Sequence, residues 1–236
     1  MWQNMLLCCA IIMVTGCAAT RPPSSDCLRM QYAAAIRDAA APKPGMTAYG
    51  LTAITPVNPT LIHRRERWRV LMVKWTDDMV YQSRVGQLMH LPDAVWVTVA
   101  PEVQLRCRGY NSLAWTVLRI EQLLGLPPAS GYHTFVEMWV EPKDLFRPAA
   151  DPEIDDQTAQ AEFPVAGKRQ DAAYRRWFEE WRAVAYGANG YPWTRLGYTY
   201  DWGSPDRPVG LSEFVIRANA VVEIHRVTGT AGYCGL

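Results

Sequence analysis

The hydrophobic pattern opens with ten consecutive apolar residues, Met5–Val14. A bilayer span needs roughly 20. This run instead has the length of the apolar core of a secretory signal, about 7–15 residues. Further on, two periods alternate. Asp26 caps an expected helix through about Ala41, with Leu28, Tyr32, Ala35 and Ala39 on one face and Pro42 and Pro44 ending it. Four prolines and two glycines make residues 42–62 irregular. Arg67–Trp75 is an expected strand with both faces covered, and Ala94–Ala100 a second by its β-branched run. Asn111 or Ser112 starts a helix to about Leu124, striped by Leu113, Val117, Ile120 and Leu124 and stopped by Gly125. Thr134–Glu141 reads as a third strand, Asp144–Phe163 as an acidic irregular stretch, and Asp171–Tyr186 as a helix bearing Tyr174, Phe178, Trp181 and Ala185 on one side. Thr194–Trp202 alternates strictly, with Leu196, Tyr198, Tyr200 and Trp202 on one face. Glu213–Arg217 and Val221–Val227, around Ala218-Asn219, form a candidate hairpin. No internal repeat interrupts this order. The expectation is an α+β fold: one mostly antiparallel sheet of about five to six strands, packed by about three helices, in a single domain over residues 26–236.

Thr15 and Gly16 follow the apolar run and Cys17 comes next. Val14-Thr15-Gly16-Cys17 resembles the bacterial lipobox. That resemblance implies a signal peptide over residues 1–16, lipidation of Cys17, and a Pro-rich tether over residues 17–25. Two or three acyl chains make a stable anchor where one is marginal. Met1–Asn4 departs from the usual signal in lacking Lys and Arg. Ala18, a non-acidic residue after the cysteine, points by the same resemblance to the periplasmic face of the outer membrane rather than to the inner membrane.

Composition narrows the function classes. The 236 residues carry a net charge of +1 without a long run of one sign, which disfavours a nucleic-acid surface. Hydrophobic content of 49% with 20% charged residues is that of a folded domain. Of six cysteines, Cys8 and Cys9 leave with the signal and Cys17 takes the lipid. An exported chain meets an oxidising compartment, so one disulfide among Cys27, Cys107 and Cys234 is expected. A bridge including Cys234 would tie down the terminus, with Cys107 ahead of Cys27 as its partner. Three free thiols are the alternative, and no spacing supports a metal site on them.

Catalytic motifs are sparse, and no cofactor motif stands out. H-E-x-x-H is missing, and Gly167-Lys168-Arg169 lacks the remainder of a phosphate loop. Phe214 occupies the glycine position that a nucleophile elbow at Ser212 would need. Asp151, Glu153, Asp155 and Glu162 match calcium-loop spacing, but Asp156 stands where the sharp turn needs glycine, which favours a solvated acidic loop. Tyr186, Tyr191, Trp193, Tyr198, Tyr200 and Trp202 concentrate aromatic surface, as a core stripe or as a platform for stacking ligands. Arg195 and Asp201 share the opposite strand face, a candidate polar site. Glu137, between Phe135 and Trp139, is a candidate proton donor or a surface acid. Glu223 and His225 lie near enough on one strand face for a metal or acid–base pair, or form a solvated face; His63, His90 and His133 have no partner at ligand spacing.

Three functions compete. The foremost is a non-catalytic, lipid-anchored envelope protein for assembly, ligand capture or partner docking, meeting the membrane through its lipid and envelope proteins or glycan through its domain. The second is a glycan hydrolase with Asp201, Glu213 and Glu137 as carboxylates beside Arg195 and the Tyr191–Trp202 aromatics. The third is a small-molecule or metal-binding module. Leu118–Pro128, Phe135–Asp151 and Tyr191–Gly203 resemble parts of an uncharacterised bacterial family, which implies no activity.

Overall fold

The structure, a computed structural model, describes residues 23–41, 45–64, 66–110, 112–163, 171–187 and 189–236. The lipobox with Cys17, the signal run and Gly167-Lys168-Arg169 lie outside the described residues.

Helix α1 (Ser25–Ala40) begins where the Ser24 side chain accepts the Cys27 N–H, and it buries Tyr32, Ala35 and Ala39. The chain then forms β1 (Thr47–Tyr49), β2 (His63–Arg64), β3 (Arg69–Thr76), a 3-10 turn (Met79–Arg84), β4 (Leu88–His90) and β5 (Val95–Val99). Helices α2 (Glu102–Cys107) and α3 (Leu113–Leu123) follow, then β6 (Thr134–Val140), a short 3-10 turn (Pro142–Asp144), β7 (Leu145–Phe146) and β8 (Thr158–Gln160). The last elements are α4 (Ala172–Ala185), β9 (Tyr198–Tyr200), β10 (Val209–Ile216), β11 (Val221–Gly229) and α5 (Thr230–Cys234). The fold is α+β, and every ladder among the described residues is antiparallel. The strands outnumber the five to six expected. Six of the additional or shortened pieces are two or three residues long, too short to display a period of two.

The main sheet runs β4-β11-β6-β3-β5-β10-β7, with β2 on β3 and β9 on β10; β1 and β8 form a separate pair. The expected 213–227 hairpin is not formed. Strands β10 and β11 are separated in the sheet by β5, β3 and β6. Through the intervening antiparallel ladders they run in the same sense, yet only residues 217–220 join them. A flat sheet would need a long crossover for that. The sheet coils instead, and Phe214, Ile216, Val222 and Ile224 meet in one core cluster on its concave face. Asn219, at φ 67°, turns the corner, and its N–H donates to the Leu91 carbonyl at 2.7 Å.

Thr194–Trp202 is also shorter as a strand than its alternation predicts. Arg195 and Gly197 take positive φ, only Tyr198–Tyr200 forms a strand, against β10, and Leu196 makes an isolated bridge to Ala149. Both faces are buried: Arg195, Thr199 and Asp201 are enclosed as fully as Tyr198, Tyr200 and Trp202. Alternation here reflects two different environments, not core against solvent.

The convex face of the sheet is covered by helices. A bridge between Cys107 and Cys234 ties α2 to α5 beside Trp75, Phe135 and Tyr233. Cys27 is a free, half-buried thiol. Helix α4 lays Tyr174, Phe178 and Trp177 on Phe146 and Val215. Among the described residues no helix is long and apolar enough to cross a membrane.

Candidate functional site

Strands β3 and β5 pair only at Met72–Val99 and Val73–Thr98. Past that point β3 stays with β6 as far as Thr76–Thr134, while β5 stays with β10 as far as Val95–Ile216. The two strand pairs fork. The wedge between them is a cavity of about 300 Å³, bordered by Lys74 and Trp75 on one prong and Trp96 and Thr98 on the other. The turn after α3 (Gly125, Leu126), α4 (Trp181) and the segment from Tyr191 to Tyr200 close over it. Gly125, at φ 67°, ends α3 in the left-handed region and leads the chain across the wedge.

Aromatic rings make the walls. Trp96 meets Trp181 and Trp193 in edge-to-face contacts at 5.6 and 6.0 Å, and Trp181 lies 6.5 Å from Tyr191. On the other prong Trp75 packs edge-to-face on Tyr132 at 5.8 Å. Such geometry is the favoured one for ring pairs.

At the floor is Glu213, directly opposite Thr98 across the β10–β5 ladder. Its backbone N–H donates to the Gly197 carbonyl at 2.9 Å. Its carboxyl is the sole acidic group bordering the cavity among the described residues, and no cation or hydrogen-bond donor pairs with it there. Half-buried and surrounded by apolar groups, it is pushed up to about 8 by desolvation alone. Lys74 is bordering but turned away. Its Nζ donates to the Tyr81 hydroxyl at 3.3 Å, and burial lowers its pKa, partly offset by Asp78 and Asp77.

The residues singled out from the sequence are dispersed. Glu213, Trp193 and Tyr200 line the cavity. Asp201 does not: it holds the Arg119 guanidinium through two hydrogen bonds of 2.9 Å and accepts the Gly203 N–H. Glu137 is buried against the exposed Arg226 on the neighbouring strand, an ion pair rather than a lone acid between aromatics. Arg195 stacks on Tyr186 with 5.3 Å to the ring centroid and donates to the Ala40 carbonyl. Tyr198 belongs to the small core under β1 and β8. The Tyr200 hydroxyl donates to Asp38 and the Trp202 indole to the Leu126 carbonyl, so the polar ends of both rings are occupied. Glu223 is taken by Arg64 and Arg69, and His225 lies against Trp139. Among the described residues no group of three His, Cys, Asp or Glu side chains could hold a metal ion.

The sequence reading missed Trp75, Trp96, Thr98 and Trp181. They come from three separate stretches, β3, β5 and α4, and only the fork brings these together. No protein-family model matches the chain, and neither the curated proteins nor the solved structures contain a significant match to it.

Proposed function

We propose that this is a lipid-anchored protein of the bacterial envelope whose domain captures a small organic ligand without transforming it. Cys17 would carry the lipid, with the outer membrane's periplasmic face as the favoured location. The observation that supports ligand capture is the forked-strand cavity: apolar walls, a size within the range of small-molecule pockets, and one polar group to orient what enters. Glycan hydrolysis is the weaker reading. It needs two carboxyls flanking the scissile bond at roughly 5–10 Å, and Glu213 has no acidic companion at the cavity. Asp201 and Glu137 are each committed to an arginine.

Native mass spectrometry of the full-length protein, extracted from its own membrane, tests the reading. A small molecule should accompany the wild type and be lost from Thr98→Trp, whose side chain fills the wedge. Identical spectra without adduct for both proteins, together with release of sugar from peptidoglycan, would replace capture by hydrolysis.

A further inference from the structure

The cavity holds an acid in a place built for apolar contact, and that mismatch identifies its occupant. A purely apolar ligand would be better served by an apolar residue at position 213. An anion would meet a carboxyl and no cation, because the Lys74 ammonium points to Tyr81 on the opposite side of the sheet. A neutral hydroxyl would gain one hydrogen bond while Glu213 stays protonated. Only a cation recovers the cost of holding a carboxylate among aromatic rings, since the buried charge then has a partner.

The rings add a second attraction. Cations are drawn to the faces of Trp and Tyr within about 6 Å of the centroid, most strongly where water is excluded. Edge-to-face contacts of Trp96 with both Trp181 and Trp193 leave these rings mutually inclined, at 73° and 87°, so that they bound a corner of the wedge from different directions. Tyr191, 39° from the plane of Trp181, continues the wall. Inclined aromatic surfaces around one carboxylate are the surroundings that a substituted ammonium group requires, apolar on its carbon substituents and negative toward its nitrogen.

We propose that the cavity binds an organic ammonium cation, with the Glu213 carboxylate as its counter-ion and Trp96, Trp181, Trp193 and Tyr191 as its cage. The proposal rests on the ligand-capture reading above. Binding makes Glu213 give up its proton, so affinity for the cation should increase as pH rises toward 8. The other titratable groups around the cavity are Lys74 from β3, Tyr132 from the α3–β6 turn, Tyr186 beyond α4, and Tyr191 and Tyr200. Burial raises Tyr186, Tyr191 and Tyr200, which keeps them neutral over that range. Burial lowers the Lys74 pKa, so the Glu213 variant is needed to separate the effects of the two groups.

Choline and its uncharged carbon analogue, 3,3-dimethylbutan-1-ol, differ in the charge on one atom. Calorimetry on the full-length protein in nanodiscs should show choline binding about 10-fold more tightly than the alcohol above pH 8, with that preference shrinking toward pH 6. Glu213→Gln should bind the alcohol as the wild type does and lose the preference for choline, and alcohol binding certifies that the variant is folded. Equal affinities in the wild type, or an unchanged preference in Glu213→Gln, would overturn the cation assignment while leaving ligand capture standing. Binding of neither compound to the wild type would remove ligand capture itself.

Discussion

Arg119 and Asp201, 82 residues apart in sequence, meet through two parallel hydrogen bonds of 2.9 Å. The pair fastens α3 to the chain beyond β9. Gln122 shares the Arg119 guanidinium at 2.8 Å, which fixes its plane. Removing one partner strands the other, partly buried, without its counter-charge. Asp201→Asn should lower stability by roughly 2–3 kcal/mol, measured by urea unfolding. It should leave ligand affinity within about 2-fold, because Asp201 does not border the cavity. A stable variant with abolished activity on glycan would instead give Asp201 a catalytic role.

Glu213 makes stability depend on pH in an unusual direction. The folded protein holds this proton up to about 8, whereas the ordinary value is 4.5. The folded state thus binds more protons than the unfolded chain between those limits. Its contribution is complete below pH 4.5 and is lost as pH rises to about 8. Asp151, pushed up to about 7 by burial and by neighbouring Glu153, acts in the same direction. The melting temperature should fall by several degrees across this window in the wild type and clearly less in Glu213→Gln. Superimposable pH profiles would show that the carboxyl is not desolvated.

The Cys107–Cys234 bridge spans 127 residues of sequence. By loop-closure entropy, Cys234→Ser should cost about 4–5 kcal/mol. Alkylation of the oxidised native protein followed by mass analysis should label Cys27 and spare the other two. Labelling of Cys107 in the unreduced wild type contradicts the pairing.

Gly197 sits at φ 70° with the Arg147 side chain across its open face. A methyl group there would collide with the Cδ and Cγ of Arg147. Arg147 cannot move away freely: it is fully buried, stacks on Phe214 and donates to the carbonyls of Thr52, Glu153 and Asp156. Gly197→Ala should destabilise by about 2–4 kcal/mol, and Arg147→Ala in the same chain should recover part of that loss in a double-mutant cycle.

Anchoring has its own test. Cys17→Ser should abolish incorporation of labelled fatty acid and leave the signal uncleaved. Normal labelling of that variant would move the lipid elsewhere or remove it from the account.

The long elements were legible in the sequence because each repeats its pattern several times. Strand β3 has eight residues buried on both faces, and α3 and α4 carry apolar stripes ended by Gly125 and Gly187. The preference for Cys107 as the partner of Cys234 also emerges in the structure. What local pattern does not carry is strand order. Residues 213–227 look like a hairpin because a turn joins two strands, and nothing nearby reports that β5, β3 and β6 come between them. The cavity was hidden for the same reason. Glu213 stood out as one acid among several, but Trp75, Trp96 and Trp181 acquire meaning only where the two strand pairs part. Asp201 stood out as an acid on the polar face of its strand, but neither the burial of that face nor Arg119, its partner on a helix far away in the chain, shows in the local pattern.

The bridge between α2 and α5 has a further consequence for how this protein responds to a protease. It closes everything from Cys107 to Cys234 into a covalent ring. A single cut inside that ring yields two pieces that cannot part until the sulfurs are reduced: one band on a gel without reductant, two with it. A cut before Cys107 has no such covalent safeguard, and non-covalent contacts, the pairing of β3 with β6 and of β5 with β10 among them, then hold the two pieces together. The cavity straddles that boundary, since β3 and β5 lie before the ring while Tyr191–Tyr200 and Glu213 lie inside it, so a cut on either side nicks the same site with different covalent consequences.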